Sequence, residues 1–430
     1  MLLLVNFLLI FGALLLTACS EIGAAGSQTL PLTDAAITTT PARVAQVTPV
    51  ATAEVTPDSP PHLRIWWPER LAPLDNLSAN ELLSAYIAAF QIDNRTVDVD
   101  FRFKTADDVG GILETLHTAS AVAPGALPDL TLIRRADLLV AYEAGLIEPL
   151  ETRALAAIFD DLPPTVAALG AVDDVLYGLP YTIDVLHMVY NADALTVDSW
   201  RFEDVLANAV PFAFPLGRPN NLSEVFLTQY RAALGTSGEI VIDADVLEAL
   251  FSFYEQAIAA GSITTDVLEY TVAEAYRVPL ASGALDAAAV TSTLYLELAA
   301  AGVDLAVAPL PTLNGDHATL VDGWLWVVTT PEAEQQALAL GFLNWMLDID
   351  RQGDYSAAIA MLPAQRTALR QWDDAEYAEF IEGLLARATL PLSEEDGVAA
   401  ARVIQTALVG VLTGDLTAQE AAAMVVEQVA

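Results

Sequence analysis

The chain has 430 residues, a single cysteine and a formal net charge of −39, from 57 acidic and 18 basic side chains. A single hydrophobic core stops growing below this length, so two lobes are expected. The acidic excess excludes nucleic acid as a partner, because a duplex is held by basic side chains, and one thiol excludes an internal disulfide or a thiolate metal cluster.

An apolar stretch at the start of the chain predicts an export signal. It runs from Leu2 to Leu16 and is too short to be read as a membrane span. It ends in Leu16-Thr17-Ala18-Cys19, which resembles the lipobox of bacterial lipoproteins. That resemblance implies a signal peptide over residues 1–18 and lipidation of the Cys19 thiol. The alternative is a buried cysteine in a membrane anchor. No Lys or Arg precedes the apolar stretch, which departs from an ordinary signal.

Residues 19–61 predict a tether. Thr, Ala, Pro and Val dominate this segment, and neither a helical nor a strand period persists through it. A folded body that begins near His62 would therefore stand off the membrane.

The folded part opens with alternating strand and helix patterns. Leu63, Ile65 and Trp67 follow a strand period, and the apolar residues between Leu82 and Phe90 follow a helical one. The same pair of patterns recurs over 97–103 and 109–116. Further strands are predicted at 129–133 and 303–307, and further helices at 246–258 and 338–346. This order predicts an α/β fold with a parallel or mixed sheet flanked by helices.

No catalytic or metal-binding pattern stands out. The four histidines lie far apart, and none has a second ligand at zinc spacing. Gly235-Thr236-Ser237-Gly238 lacks the glycine spacing of a nucleophile elbow, and no glycine-rich phosphate loop is present. We therefore predict that the protein is not an enzyme and holds neither a metal nor a cofactor.

Several motifs, in a consistent order, resemble the family-1 extracellular solute-binding proteins of ABC importers, which include maltose- and oligosaccharide-binding proteins. One motif departs from the pattern, since Asp286 replaces a residue that is usually small. The motifs are Leu63-Arg64-Ile65-Trp66-Trp67, Pro128-Asp129-Leu130, Ala144-Gly145-Leu146-Ile147-Glu148-Pro149-Leu150, Tyr177-Gly178-Leu179-Pro180-Tyr181, Tyr190-Asn191-Ala192-Asp193, Ser282-Gly283-Ala284-Leu285-Asp286, Leu310-Pro311, Gly323-Trp324 and Leu362-Pro363-Ala364-Gln365-Arg366.

The resemblance implies a two-lobed periplasmic-binding-protein type II fold. Each lobe would be a mixed sheet flanked by helices, with ligand enclosed in the cleft as the lobes hinge shut. The implied bounds are an N-terminal lobe over 62–183 and 287–328, and a C-terminal lobe over 184–286 and 329–430.

Ligand contacts are expected directly after the strands, since open α/β sheets bind ligands at the carboxyl ends of their strands. Aromatic rings and hydrogen-bonding groups there would suit a sugar. Only one of Trp66 and Trp67 would face the cleft, and one of Trp324 and Trp326 could be sheet packing. Arg366 could form a surface salt bridge, and the two adjacent arginines could signal an anionic ligand. The candidates are Trp67, Glu69, Arg134, Arg135, Tyr181, Asp184, Thr291, Ser292, Gly323, Trp324 and Arg366.

These expectations combine into a membrane-anchored, extracytoplasmic lipoprotein. The protein would be a monomer that captures a carbohydrate, namely an oligosaccharide or a sugar derivative. It would deliver this ligand to the permease subunits of an ABC importer. The alternatives are a ligand-sensing receptor of the same fold that docks to a sensor kinase, and a binding protein for a non-sugar solute.

Overall fold

The computed structural model describes residues 61–106, 110–197, 199–218, 221–392 and 397–429. The predicted signal peptide, Cys19 and all but the last residue of the predicted tether lie outside these ranges. None of the helices within them is both long and apolar enough to cross a membrane. The strands are β1 His62–Pro68, β2 Asp98–Lys104, β3 Leu130–Arg134, β4 Ala171–Val172, β5 Val175–Leu176, β6 Gly178–Tyr190, β7 Ala287–Thr291, β8 Ala306–Ala308, β9 Thr319–Val328, β10 Leu362–Pro363 and β11 Ala388–Thr389.

Helices pack around these strands throughout the described chain. They are α1 Leu77–Asp93, α2 Ile112–Val122, α3 Arg135–Glu143, α4 Ala156–Asp161, α5 Pro164–Ala168, α6 Phe202–Ala207, α7 Glu224–Leu234, α8 Ala244–Ala260, α9 Arg277–Ala281, α10 Ser292–Ala300, α11 Ala333–Met346, α12 Ile349–Ala358, α13 Arg366–Leu369, α14 Ala375–Leu385, α15 Val398–Thr413 and α16 Ala418–Val429.

The predicted β-α-β-α opening is confirmed. β1 pairs in parallel with β2 on one side and with β3 on the other, so Ile65 lies opposite both Phe101 and Leu130. The connections through α1 and α2 are the crossovers that parallel strands require. β9 then runs antiparallel to β3, which makes the sheet mixed.

β6 and β9 are the two long strands that build both halves of the molecule. Their antiparallel pairing runs from Gly178 opposite Val327 to Val185 opposite Val321. Beyond that point β6 pairs instead with β7 and β8. β6 therefore pairs with one set of strands along its first part and with another set along its last part.

Two hydrophobic cores correspond to these two groups. The first draws on residues 63–185 and 321–388, and the second on 186–320 and 401–425. The chain thus passes between the cores at 185/186, at 320/321 and between 388 and 401. The first passage lies next to the boundary expected at 183/184.

The later boundaries differ from the expected ones. Residues 287–320 pack with the second core, because β7 and β8 pair with the far half of β6. Residues 329–388 pack with the first core instead. The sequence predicts a strand at 303–307 and a helix at 338–346, but periodicity does not tell which core these elements join.

Hydrogen bonds connect the segments in which the chain crosses between the two cores. The Thr319 hydroxyl accepts from the Leu186 amide at 3.0 Å and donates to the Leu186 carbonyl at 2.6 Å. Nε2 of His187 lies 3.1 Å from the hydroxyl of Tyr377, a residue of the first core. Burial lowers the pKa of His187 to about 4, so this ring is neutral at pH 7.

Candidate ligand-binding site

A cavity of about 330 Å³ lies where β6 and β9 pass between the cores. Its walls come from both of them: Trp324 belongs to the first core, and Leu222, Val225 and Leu320 belong to the second. The start of α7, the end of β7 and the 271–274 loop complete the walls. A molecule held in this cavity would therefore contact both halves of the protein.

Five of the predicted contacts line this cavity, and all lie at the end or the crossing point of a strand. They are Arg134, Asp184, Thr291, Gly323 and Trp324. We expected polar ligand contacts directly after the strands, and the structure brings these five residues to one place. Their contact with a ligand stays a prediction.

Arg134 and Trp324 form one wall. They are direct partners in the β3–β9 register, and the guanidinium carbon of Arg134 lies 5.1 Å from the centroid of the Trp324 ring. Trp324 is 4% exposed, whereas Arg134 is exposed. The stack holds the Arg134 side chain against the Trp324 ring at the wall of the cavity.

Three carboxylates give the cavity an acidic lining. Oδ1 of Asp184 accepts hydrogen bonds from the Ser292 hydroxyl at 2.6 Å and the Thr293 amide at 3.0 Å. Oδ1 of Asp322 accepts from the Gly323 amide at 2.8 Å. Glu224 begins α7 on the far wall.

The pKa values of these three carboxyl groups are all raised, first by burial. The hydrogen bonds to Asp184 oppose the shift in its pKa, and Arg134 opposes the shift in the pKa of Asp322. Asp322 and Asp184 further raise the pKa of Glu224, against the effect of Arg218. The charged forms of these carboxyl groups are therefore disfavoured unless a positive charge lies close by.

One buried hydroxyl beside the cavity has no protein partner within the described part of the chain. It is Ser223 Oγ, on a cavity-lining residue that is only 6% exposed. A buried hydroxyl without a partner costs free energy, so a polar ligand that reached it would be favoured. The Thr293 side chain instead supports the Asp184 carboxylate and helps to oppose the rise in its pKa.

Sequence reasoning missed several cavity residues, which are Arg70, Arg218, Ser223, Glu224, Glu274, Thr293 and Asp322. Asp322, Thr293 and Arg70 directly adjoin the predicted contacts Gly323, Ser292 and Glu69, so the same strand-end rule could have included them. The others lie on loops or at a helix start, where no motif marks them.

Trp67 and Tyr181, both predicted contacts, lie elsewhere. Each is 0% exposed. The centroid of the Trp67 ring lies 5.8 Å from that of Tyr181 and 5.4 Å from that of Trp326. The expectation that one of Trp66 and Trp67 faces the cleft is corrected here, because β1 lies between β2 and β3 and both tryptophans are buried.

Arg135, Ser292 and Arg366 serve other atoms of the protein. Arg135 donates to the carbonyls of Leu169 and Ala171, and Arg366 donates to the carbonyls of 160–162 rather than to a carboxylate. Ser292 is fully buried and holds Asp184.

Glu69 is exposed on a single 3₁₀ turn, Glu69–Leu71, and does not line the cavity. Within the described ranges, no group of three or more His, Cys, Asp or Glu side chains is arranged to hold a metal ion.

Solved structures show the same fold. The cyclic alpha-maltosyl-1,6-maltose binding protein from Arthrobacter globiformis superposes with a TM-score of 0.66 at 16% identity, over 86% of this chain and 98% of its own. The sugar-binding protein MalE from Xanthomonas citri gives 0.66 at 18%, over 85% and 96%. A family 1 extracellular solute-binding protein from Bifidobacterium longum subsp. infantis gives 0.66 at 15%, over 86% and 99%. The expected two-lobed periplasmic-binding-protein fold is thereby confirmed.

The sequence gives a family match as well. A search of curated proteins finds no significant match. Residues 85–380, however, match the family described as bacterial extracellular solute-binding protein, whose members are binding proteins that act outside the cytoplasm. The chain belongs to this family.

Proposed function

We propose that this protein binds a carbohydrate in the cavity between its two cores and delivers it to the permease of an ABC importer. The observation that carries this proposal is the cavity itself, which both cores line at the crossing of β6 and β9. The lipid anchor at Cys19 and a monomeric state belong to the same proposal.

The chemistry of the walls suits a sugar. A pyranose presents an apolar face to an aromatic side chain and a rim of hydroxyls that both donate and accept. Trp324 supplies the ring, Asp184 and Asp322 supply acceptors, and Arg134 supplies donors. Two structural neighbours, from Arthrobacter globiformis and Xanthomonas citri, are themselves named for maltose-type or sugar binding.

Ligand would act by stabilising a closed arrangement of the two cores. Moving such an equilibrium from mostly open to mostly closed takes a differential affinity of about 5.5 kcal/mol. Contacts from both walls, which form together only around a ligand, can supply it.

Calorimetric titration of the full chain with saccharides, amino acids and sugar phosphates tests this proposal. At least one saccharide should bind, and Arg134→Ala should weaken it about tenfold or more, because the ligand loses the guanidinium donors of Arg134. Arg351→Ala is the matched control. Arg351 stacks on Trp345 at 3.6 Å, and neither residue lines the cavity. Binding of amino acids or sugar phosphates alone would contradict a carbohydrate ligand.

A further inference from the structure

Two aspartates face each other across the crossing strands. Asp184 of β6 and Asp322 of β9 are direct partners in the antiparallel register, and both line the cavity. Directly opposite residues of an antiparallel pair project to the same face, with Cβ atoms about 4.5–5.5 Å apart. Like charges in that position destabilise a sheet.

The hydrogen bonds to these carboxylates do not cancel their charges. Asp184 accepts from a hydroxyl and an amide, and Asp322 accepts from an amide, so every one of these donors is neutral. Burial raises the pKa of both groups, and the charge of Asp184 raises that of Asp322 further. This arrangement favours a positive charge brought by something else.

The other charged groups of the cavity leave its balance negative. Arg134 acts on Asp322, and Arg218 acts on Glu224. Arg70 forms an ion pair with Glu297 at 3.6 Å. Glu274 adds a fourth carboxylate to the walls and raises the pKa of Asp184.

Two further observations point to a ligand at this place. Ser223 lines the same cavity, is nine-tenths buried, and carries a hydroxyl without a protein partner among the described residues. The net charge of −39 would also attract cations toward the cleft from a distance.

We propose that the saccharide bound here carries a protonated amine, which lies between Asp184 and Asp322 while one of its hydroxyls meets Ser223. This inference rests on the proposed function and narrows its ligand class. A neutral hydroxyl could bond to either aspartate, but a bound cation also relieves the repulsion between them while both stay ionised. A charge-assisted bond is also roughly twice as strong as a neutral one.

Calorimetry with matched pairs of ligands tests the proposal on the full chain at pH 6. Each pair differs only by an amine in place of the 2-hydroxyl of every sugar unit: glucosamine with glucose, galactosamine with galactose, and fully deacetylated chitotriose with cellotriose. We expect the amine member of at least one pair to bind about tenfold tighter or more, and 0.5 M NaCl to reduce the difference.

Two variants check the assignment of the site. Asp322→Asn and Asp184→Asn keep an oxygen acceptor for the bonds that hold each side chain, and each should reduce the amine preference to about threefold or less. Glu248→Gln is the charge-matched control, because Glu248 is exposed on α8 outside the cavity. It should leave the preference unchanged.

The outcomes separate the two proposals. Saccharide binding without an amine preference, or a preference that survives both asparagine variants, overturns the amine inference and leaves the carbohydrate function in place. Binding of spermidine with no saccharide bound contradicts the carbohydrate function itself.

Discussion

Tyr181 illustrates what a residue's neighbours add to its position in the sequence. It follows a glycine-proline motif at the first crossing strand, where ligand contacts were expected, yet Trp67 and Trp326 surround it. Its hydroxyl finds no partner among the described residues. Strand alternation does not reveal that this part of β6 is covered on both faces.

Replacing Tyr181 with Phe tests this placement. The variant removes an unpartnered buried hydroxyl, so the free energy of unfolding should stay the same or rise by about 1 kcal/mol, and ligand affinity should not change. Chemical denaturation and calorimetry measure the two quantities. A loss of affinity would place Tyr181 at the ligand after all.

Tyr254→Phe is the matched control for that substitution. The Tyr254 hydroxyl donates to Oε1 of Gln229 at 2.5 Å in the second core, so its removal leaves a buried acceptor unpaired. We expect this variant to lose about 1–3 kcal/mol of stability.

At the scale of elements, the close approach of β6 and β9 depends on Gly323. A Cβ at this position would lie 2.4 Å from the Thr182 carbonyl oxygen, beside the irregularity in the register between Pro180 and Thr182. The Gly323-Trp324 motif was predicted as a ligand contact. The structure shows that the close packing of β9 against β6 also requires a glycine at this position.

Gly323→Ala should therefore lower the free energy of unfolding by about 1–3 kcal/mol, since the backbone of β6 must shift. Gly341→Ala serves as the control: Gly341 is exposed in α11 with no atom in reach of a new Cβ. It should gain about 0.5–1 kcal/mol from helix propensity. Equal stability of the two variants would contradict the close approach.

Several strands and helices could be predicted from periodicity, but the long strands β6 and β9 and the way the elements combine could not. The opening through β3 and the helices α8 and α11 match the patterns that predicted them. β8 was also recognised as a strand, but its partner is the far half of β6, which depends on contacts distant in sequence. The site followed the same division: strand ends were found, and loop residues such as Arg218 and Glu274 were not.

At the scale of the whole molecule, the acidic composition and the division into two cores both favour the capture of a ligand between the cores. The cores are joined at three places in the chain, and the cavity lies beside two of them. A ligand that bridges the walls can thus couple its binding to the relative position of the cores.

Hydrogen exchange of the full chain, with and without a saccharide that binds in calorimetry, tests the central claim most directly. We predict slower amide exchange in both walls together, at 320–324 on β9 and at 221–225 and 271–274 on the second-core side, because the ligand contacts all of them. Protection confined to one wall, or to segments outside the cavity, would contradict a carbohydrate site between the two cores.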